Sequence, residues 1–292
     1  MTIQNPLISL DNEELKHALY SSYHDILIQG ETGTGKDTLA YNIYKQQQFK
    51  GDFVAVNAAA IPDALIESEL FGTVAGAYTG ATNSRLGYVE AAHDGILYLD
   101  EIDSLPLHLQ VKLLRVIETR SLQRLGSTKT LQLNFRIIAS SQRNLFNLTQ
   151  SGLFRGDLYY RLMTLKVNIP PLRERAETIL PMFKIFLKSS SCTNGVHPPN
   201  ITAEVEDALL MYSWPGNIRE LKSCADRFSL GLPIFSQPIS PTGIKKLKER
   251  VSVFERSVIN SCLEKYDGNM KEVAEELAVT VRTIYNKLQS QK

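Results

Sequence analysis

The stretch Asp25–Ala40 reads DILIQGETGTGKDTLA, and it changes character twice within sixteen residues. DILIQ is a short apolar run with β-branched residues, which reads as a buried strand. Gly30–Lys36, GETGTGK, fits the pattern GxxxxGK, and a helical pattern follows from Lys36 to Gln47. Strand, glycine-rich turn, lysine and helix in that order form a phosphate-binding loop. Its glycines let backbone N–H groups converge on phosphate oxygens, and the next helix aims its positive end at them. The expected binding residues are Gly30, Glu31, Thr32, Gly33, Thr34, Gly35, Lys36, Asp37 and Thr38, with Lys36 bridging the β- and γ-phosphates. Asp37 stands where such loops usually carry Ser or Thr. The hydroxyl expected to touch Mg²⁺ is therefore missing, and Thr38 or water is expected to substitute.

Outward from this loop the same alternation repeats. Apolar runs recur at Phe53–Val56, Gly95–Leu99, Phe135–Ala139 and Leu165–Ile169, with helical patterns between them such as Leu107–Arg120. Buried strands alternating with helices predict an α/β fold with a parallel sheet. The run GILYLDE, Gly95–Glu101, ends in two acids. Asp100 is expected to hold Mg²⁺ through water, and Glu101 to polarise the attacking water as general base. Together with the loop, these acids point to hydrolysis of a nucleoside triphosphate.

After Pro170-Pro171 the strands stop. Glu174–Lys188, Thr202–Tyr212 and Pro215–Phe228 read as helices of a small subdomain. Gly231–Gly243, with three prolines and two glycines, reads as a linker. In the tail, Asn269 is placed to cap a helix with Glu272 three residues on. Thr280 is placed to cap another, Val281–Gln289.

Composition narrows the remaining classes. The 292 residues carry 32 basic and 31 acidic side chains, so no bulk field marks a polyanionic partner. No apolar run approaches a membrane span, and Met1–Leu10 has no signal-peptide pattern. Cys192, Cys224 and Cys262 are expected to be buried or half-buried thiols of a cytoplasmic protein. The five histidines form no metal-binding spacing.

Glu69–Ala81 reads ELFGTVAGAYTGA. Its Gly76-Ala77-Tyr78-Thr79-Gly80-Ala81 resembles the GAFTGA signature of sigma-54-dependent transcription activators, which are AAA+ ATPases. The resemblance runs from about Pro6 to the C-terminus. It implies an AAA+ P-loop sheet with a helical lid and a C-terminal Fis-like helix-turn-helix. The implied boundaries are 1–172, 173–230, a linker at 231–250, and 251–292. It also implies that the six-residue loop touches sigma-54, with Tyr78 replacing the usual Phe at the tip. Asn57 in VNAAAIP resembles the family's switch asparagine, acting through Glu101. GLFRGDLYYRL, Gly152–Leu162, resembles the segment that sends arginine fingers, here Arg155 and Arg161, to the neighbouring subunit. WPGNIREL, Trp214–Leu221, resembles the second sensor and places Arg219 near the phosphates. The first sensor departs from the family's pattern, reading Ala139-Ser140-Ser141-Gln142.

In the tail, the resemblance puts Arg282, Thr283, Asn286 and Lys287 on enhancer DNA. From Gly243 onward ten basic residues face seven acidic ones, a local excess of three. ASSQRNL, RLGST and RFSLGLP look most like the Hrp-type activators of type III secretion genes, which lack an N-terminal sensory domain. No such domain is expected here, so control falls to expression level or a regulator in trans. The implied partners are sigma-54 RNA polymerase, enhancer DNA and other subunits, with ATP and Mg²⁺ as cofactors. The subunits would form a hexamer with ATP and dimers without it, or a ring mixed with a paralogue. Two rivals stay open: a DNA-binding repressor with a degenerate ATPase half, and an AAA+ remodeller or helicase loader.

Overall fold

A computed structural model describes residues 24–47, 49–77, 82–194 and 199–235, and in the tail 259, 262–263, 266 and 269–289. β1 (Ile26–Gln29) lies inside a five-stranded sheet, flanked by β6 (Arg136–Ser141) and β7 (Leu165–Asn168). β3 (Ile96–Asp100) pairs with β6, and β2 (Phe53–Asn57) with β3; every pairing is parallel. The order is therefore β2-β3-β6-β1-β7. A parallel sheet is covered on both faces, which is why these strands read as continuous apolar runs.

Side-chain alternation sorts the core. Ile26, Ile28, Ile96, Tyr98 and Ile138 pack on one face against Leu39, Ala40 and Ile43 of α1 (Lys36–Gln46). Leu27, Leu97, Leu99, Ile137 and Ala139 pack on the other, against Leu109, Leu113, Val116 and Ile117 of α4 (Leu107–Thr119). Between β2 and β3 lie α2 (Asp63–Phe71) and α3 (Tyr88–Ala91). A two-stranded hairpin, β4 (Ser121–Gln123) and β5 (Thr130–Gln132), precedes β6. α5 (Leu145–Gln150) and α6 (Gly156–Leu162) lead into β7.

Three helices follow: α7 (Ala176–Asn194), α8 (Ala203–Met211) and α9 (Asn217–Ser229). α7 runs past Lys188, where the expected helix ends. The reason is tertiary: Ser190 is buried and its hydroxyl lies 2.8 Å from that of Ser229 on α9. A buried hydrogen bond outweighs the weak helix propensity of serine. Cys224 is buried, its thiol pushed up to about 11 by burial, and Cys262 is half-buried. Cys192, in the part of α7 beyond Lys188, is exposed, against the expectation.

The chain divides into two compact units near Ile234. The predicted linker lies outside the described residues from 236 onward. In the second unit α10 (Met270–Glu276) and α11 (Val281–Gln289) pack around Val273 and Ile284, both fully buried. Among the described residues no helix is long and apolar enough to cross a membrane.

Candidate active site

The loop Gly30–Lys36 leaves the C-terminal end of β1 and enters α1. Gly33 has φ +76°, and a Cβ there would stand 2.4 Å from the Gly216 carbonyl, so both conformation and space demand glycine. Lys36 is 8% exposed, and its Nζ donates to the carbonyls of Gly30 (2.9 Å) and Glu31 (3.0 Å). Burial pulls its pKa down, while Asp100, Asp37, Glu101 and Asp103 pull it up. Four carboxylates thus face one buried ammonium. Thr34 folds inward and its hydroxyl donates to the Glu31 carbonyl.

Asp100 ends β3 beside this loop. One of its oxygens accepts from Asn57 Nδ2 at 3.2 Å; the other accepts from the hydroxyl of Ser140 and lies 3.3 Å from the Tyr98 phenol oxygen. Glu101 follows with φ +53°, a left-handed backbone that costs a side chain energy and is typical of working sites. Asp103 accepts from Ser141 (3.0 Å) and Arg143 (2.8 Å). Ser140 and Ser141, at the expected first-sensor position, therefore hold the acidic cluster directly, and Gln142 is exposed.

Asn57 hydrogen-bonds Asp100, whereas the expected link runs through Glu101. Its Oδ1 accepts from Ala59 and Ala60 N–H groups, so the same amide caps the turn that leads into α2. Thr38 and Asp37 are exposed at the start of α1. Asp37 Oδ1 accepts from the Tyr98 hydroxyl at 2.7 Å. Neither that bond nor the role of Tyr98 is foreseen by the motifs, which read Tyr98 as a core residue.

The three-helix subdomain leans on the loop. Asn217, fully buried, accepts from Leu172 N–H and donates to Thr32 O (3.0 Å) and Glu31 (3.2 Å). Ile218 N–H donates to Gly33 O, and Arg173 makes a bidentate pair with Glu31 (2.6 and 2.9 Å). The Arg219 stem lies next to Gly33, its Cβ 3.2 Å from where a Gly33 Cβ would be. Sequence reasoning names Glu31 and Arg219 but misses Arg173 and Asn217.

Arg155 and Arg161 stand elsewhere. β7 starts with Leu165 beside Ile26, the start of β1, so α6 sits at the opposite end of the sheet from the loop. Arg161 Nη2 is 3.1 Å from Asp25, a buried carboxylate whose two oxygens also accept from Arg120 Nη2. Arg155 is exposed and pairs with Asp157; its backbone N–H donates to the buried Gln110.

The segment containing Gly76 and Ala77 follows α2 and is held at its ends by two pins. Thr73 and Arg85 exchange backbone hydrogen bonds, and Leu125 bonds Gly72 and Val74. Tyr78, Thr79, Gly80 and Ala81 lie outside the described residues. In the tail, Asn269 accepts from Lys271 N–H and donates to Glu272, and Thr280 accepts from Thr283 N–H. On α11 Arg282 is exposed, and Thr283 and Lys287 are half-exposed; the Asn286 side chain is outside the described residues.

Comparison with known proteins gives three consecutive matches. Residues 4–168 match the Sigma-54 interaction domain, 173–232 the AAA+ ATPase lid domain, and 250–290 the Fis family of bacterial regulatory proteins. The pathogenicity locus probable regulatory protein WtsA of Pantoea stewartii subsp. stewartii is 49% identical over 90% of this chain and 82% of its own. The HrpS protein of Pseudomonas savastanoi pv. phaseolicola is 47% identical over 90% and 88%. Among solved structures, NtrX from Brucella abortus in complex with ATP has a TM-score of 0.69 at 31% identity, covering 95% of this chain and 66% of that one.

Proposed function

Since the chain belongs to the sigma-54-dependent activators, with an AAA+ core, a lid and a Fis-type DNA-binding domain, we propose that it hydrolyses ATP to remodel sigma-54 RNA polymerase from closed to open complex. The observation that carries this reading is the buried Lys36 set among Asp37, Asp100, Glu101 and Asp103 at one end of the sheet. The likeness to NtrX in complex with ATP supports the nucleotide. The kinship with WtsA and HrpS points to genes of a pathogenicity locus, with type III secretion genes as the targets.

The proposed division is 1–172, 173–230, 231–250 and 251–292. In the first part the loop amides and Lys36 bind the triphosphate, and Glu101 takes a proton from the attacking water. Asp100 would hold Mg²⁺ through water, and the ion would neutralise charge on the β- and γ-oxygens. Mg²⁺ sites commonly use only one or two carboxylates beside the phosphates, and this donor set fits that habit. Arg219 reaches the phosphates from the lid. Arg155 and Arg161, at the far end of the sheet from their own loop, serve the next subunit, which requires an assembly such as a hexameric ring. Asn57 links Asp100 to the turn before α2, and α2 runs into the pinned Gly76–Ala81 loop. That path offers a route from the triphosphate to sigma-54. On α11, Arg282, Thr283, Asn286 and Lys287 contact enhancer DNA.

The test compares ATP turnover of the protein with that of Glu101→Gln, and transcription from a sigma-54 promoter with that of Thr79→Ala. Turnover should fall about 10²–10⁴-fold in Glu101→Gln. Thr79→Ala should keep turnover and lose open complexes. Equal turnover of wild type and Glu101→Gln would favour the repressor with a degenerate ATPase half.

A further inference from the structure

Tyr98 occupies a position that strand patterning assigns to the core, and its ring does pack there, 5.7 Å from that of Phe53. The side chain is 2% exposed, yet its hydroxyl is not an idle polar group at the end of an apolar ring. It sits between two carboxylates from different elements: Asp37 on α1 at 2.7 Å and Asp100 on β3 at 3.3 Å. Both oxygens are thus within hydrogen-bonding reach of one phenol oxygen. Asp37 occupies the position after the loop lysine, where a hydroxyl ordinarily meets the nucleotide's metal. The residue is exposed.

We propose that Tyr98 is a positioning residue for the metal–nucleotide complex: its hydroxyl holds Asp37 beside Asp100, so that a carboxylate does the work of the absent loop hydroxyl. The assignment rests on the ATPase reading above. An unrestrained Asp37 could turn out to solvent from the first turn of α1. Tied to Tyr98, it keeps one oxygen on the phenol and leaves the other for a divalent cation or its water. The result is a metal position flanked by two carboxylates, with Ser140 and Asn57 fixing the second of them.

The test titrates Mg²⁺ against the full chain with a fluorescent, non-hydrolysable ATP analogue and reads binding. Wild type, Tyr98→Phe, Asp37→Thr and the double variant form a cycle. Tyr98→Phe should raise the Mg²⁺ half-saturation about tenfold, the equivalent of one charge-assisted hydrogen bond. Analogue binding in EDTA should change by less than about twofold, since loop and lysine are untouched. In the Asp37→Thr background the same substitution should do little, because the phenol's partner is gone. An unchanged half-saturation in Tyr98→Phe, or equal effects in both backgrounds, overturns the assignment. If Tyr98→Phe fails to fold, Asp37→Asn serves instead. It should raise the half-saturation likewise, and no rise overturns the proposal. Wild type that binds no analogue under either condition overturns the ATPase reading itself.

Discussion

Single residues at the loop are constrained from two sides. Gly33 is held by its left-handed backbone and by the Gly216 carbonyl 2.4 Å from its missing Cβ. Gly33→Ala is expected to cost about 1–3 kcal/mol in backbone strain and to force loop and lid apart. Thermal unfolding should show the loss, and nucleotide binding should weaken with it. A variant with wild-type melting and affinity would mean that the turn before α9 yields easily. The residues of the loop were legible because GxxxxGK after a strand has one physical use. Tyr98 was not, because nothing in an apolar run tells a phenol that only packs from one whose hydroxyl ties two elements together.

At the scale of elements, the long strands were legible and the short pieces were not. β1 and β3 are apolar throughout because both faces are covered, and that pattern survives without any knowledge of partners. The β4–β5 hairpin has three residues a side, and α2, α3 and α5 are brief; tertiary contacts hold them, and these leave no periodic signal. The contact between lid and loop is likewise a matter of residues 142 positions apart, Glu31 and Arg173. That pair makes a pH prediction. Arg173 holds the Glu31 carboxyl below its ordinary 4.5. A carboxylate with a depressed folded value stabilises above the unfolded pKa and stops doing so as pH falls through the folded one. The pair is well exposed, so the effect is small, and salt weakens it. Lid opening followed by hydrogen exchange at the Gly216–Ile218 amides should therefore increase below about pH 4.5, the unfolded-state reference. In Arg173→Ala that pH dependence should shrink, leaving the smaller part due to Asn217. On α11, Arg282→Ala should weaken DNA binding and lower the salt slope by about one if it meets a phosphate. A slope equal to wild type would remove Arg282 from the interface.

For the whole molecule, the separation of Arg155 and Arg161 from their own loop predicts complementation. On the proposed assignment, Glu101→Gln subunits would lack the base but carry fingers, and Arg155→Ala subunits would lack a finger but keep the base. Each alone should be nearly inactive, a finger being worth about 10³–10⁵ in rate. Mixing them should restore part of the turnover, because some junctions then join an intact base to an intact finger. Specific activity of the wild type should also rise with protein concentration. No recovery on mixing, together with concentration-independent turnover, would place the whole site within one subunit.

β1 gives this arrangement a mechanical meaning. Four residues separate Asp25, which grips Arg161 and Arg120, from Gly30, where the phosphate loop begins. If Arg161 meets a neighbour's nucleotide as proposed, a pull on it would act on one end of a stiff rod whose other end carries this chain's own phosphate loop. Around a closed circle such rods would link the pockets in series, so that the firing of one biases the next and the stroke travels in a fixed direction.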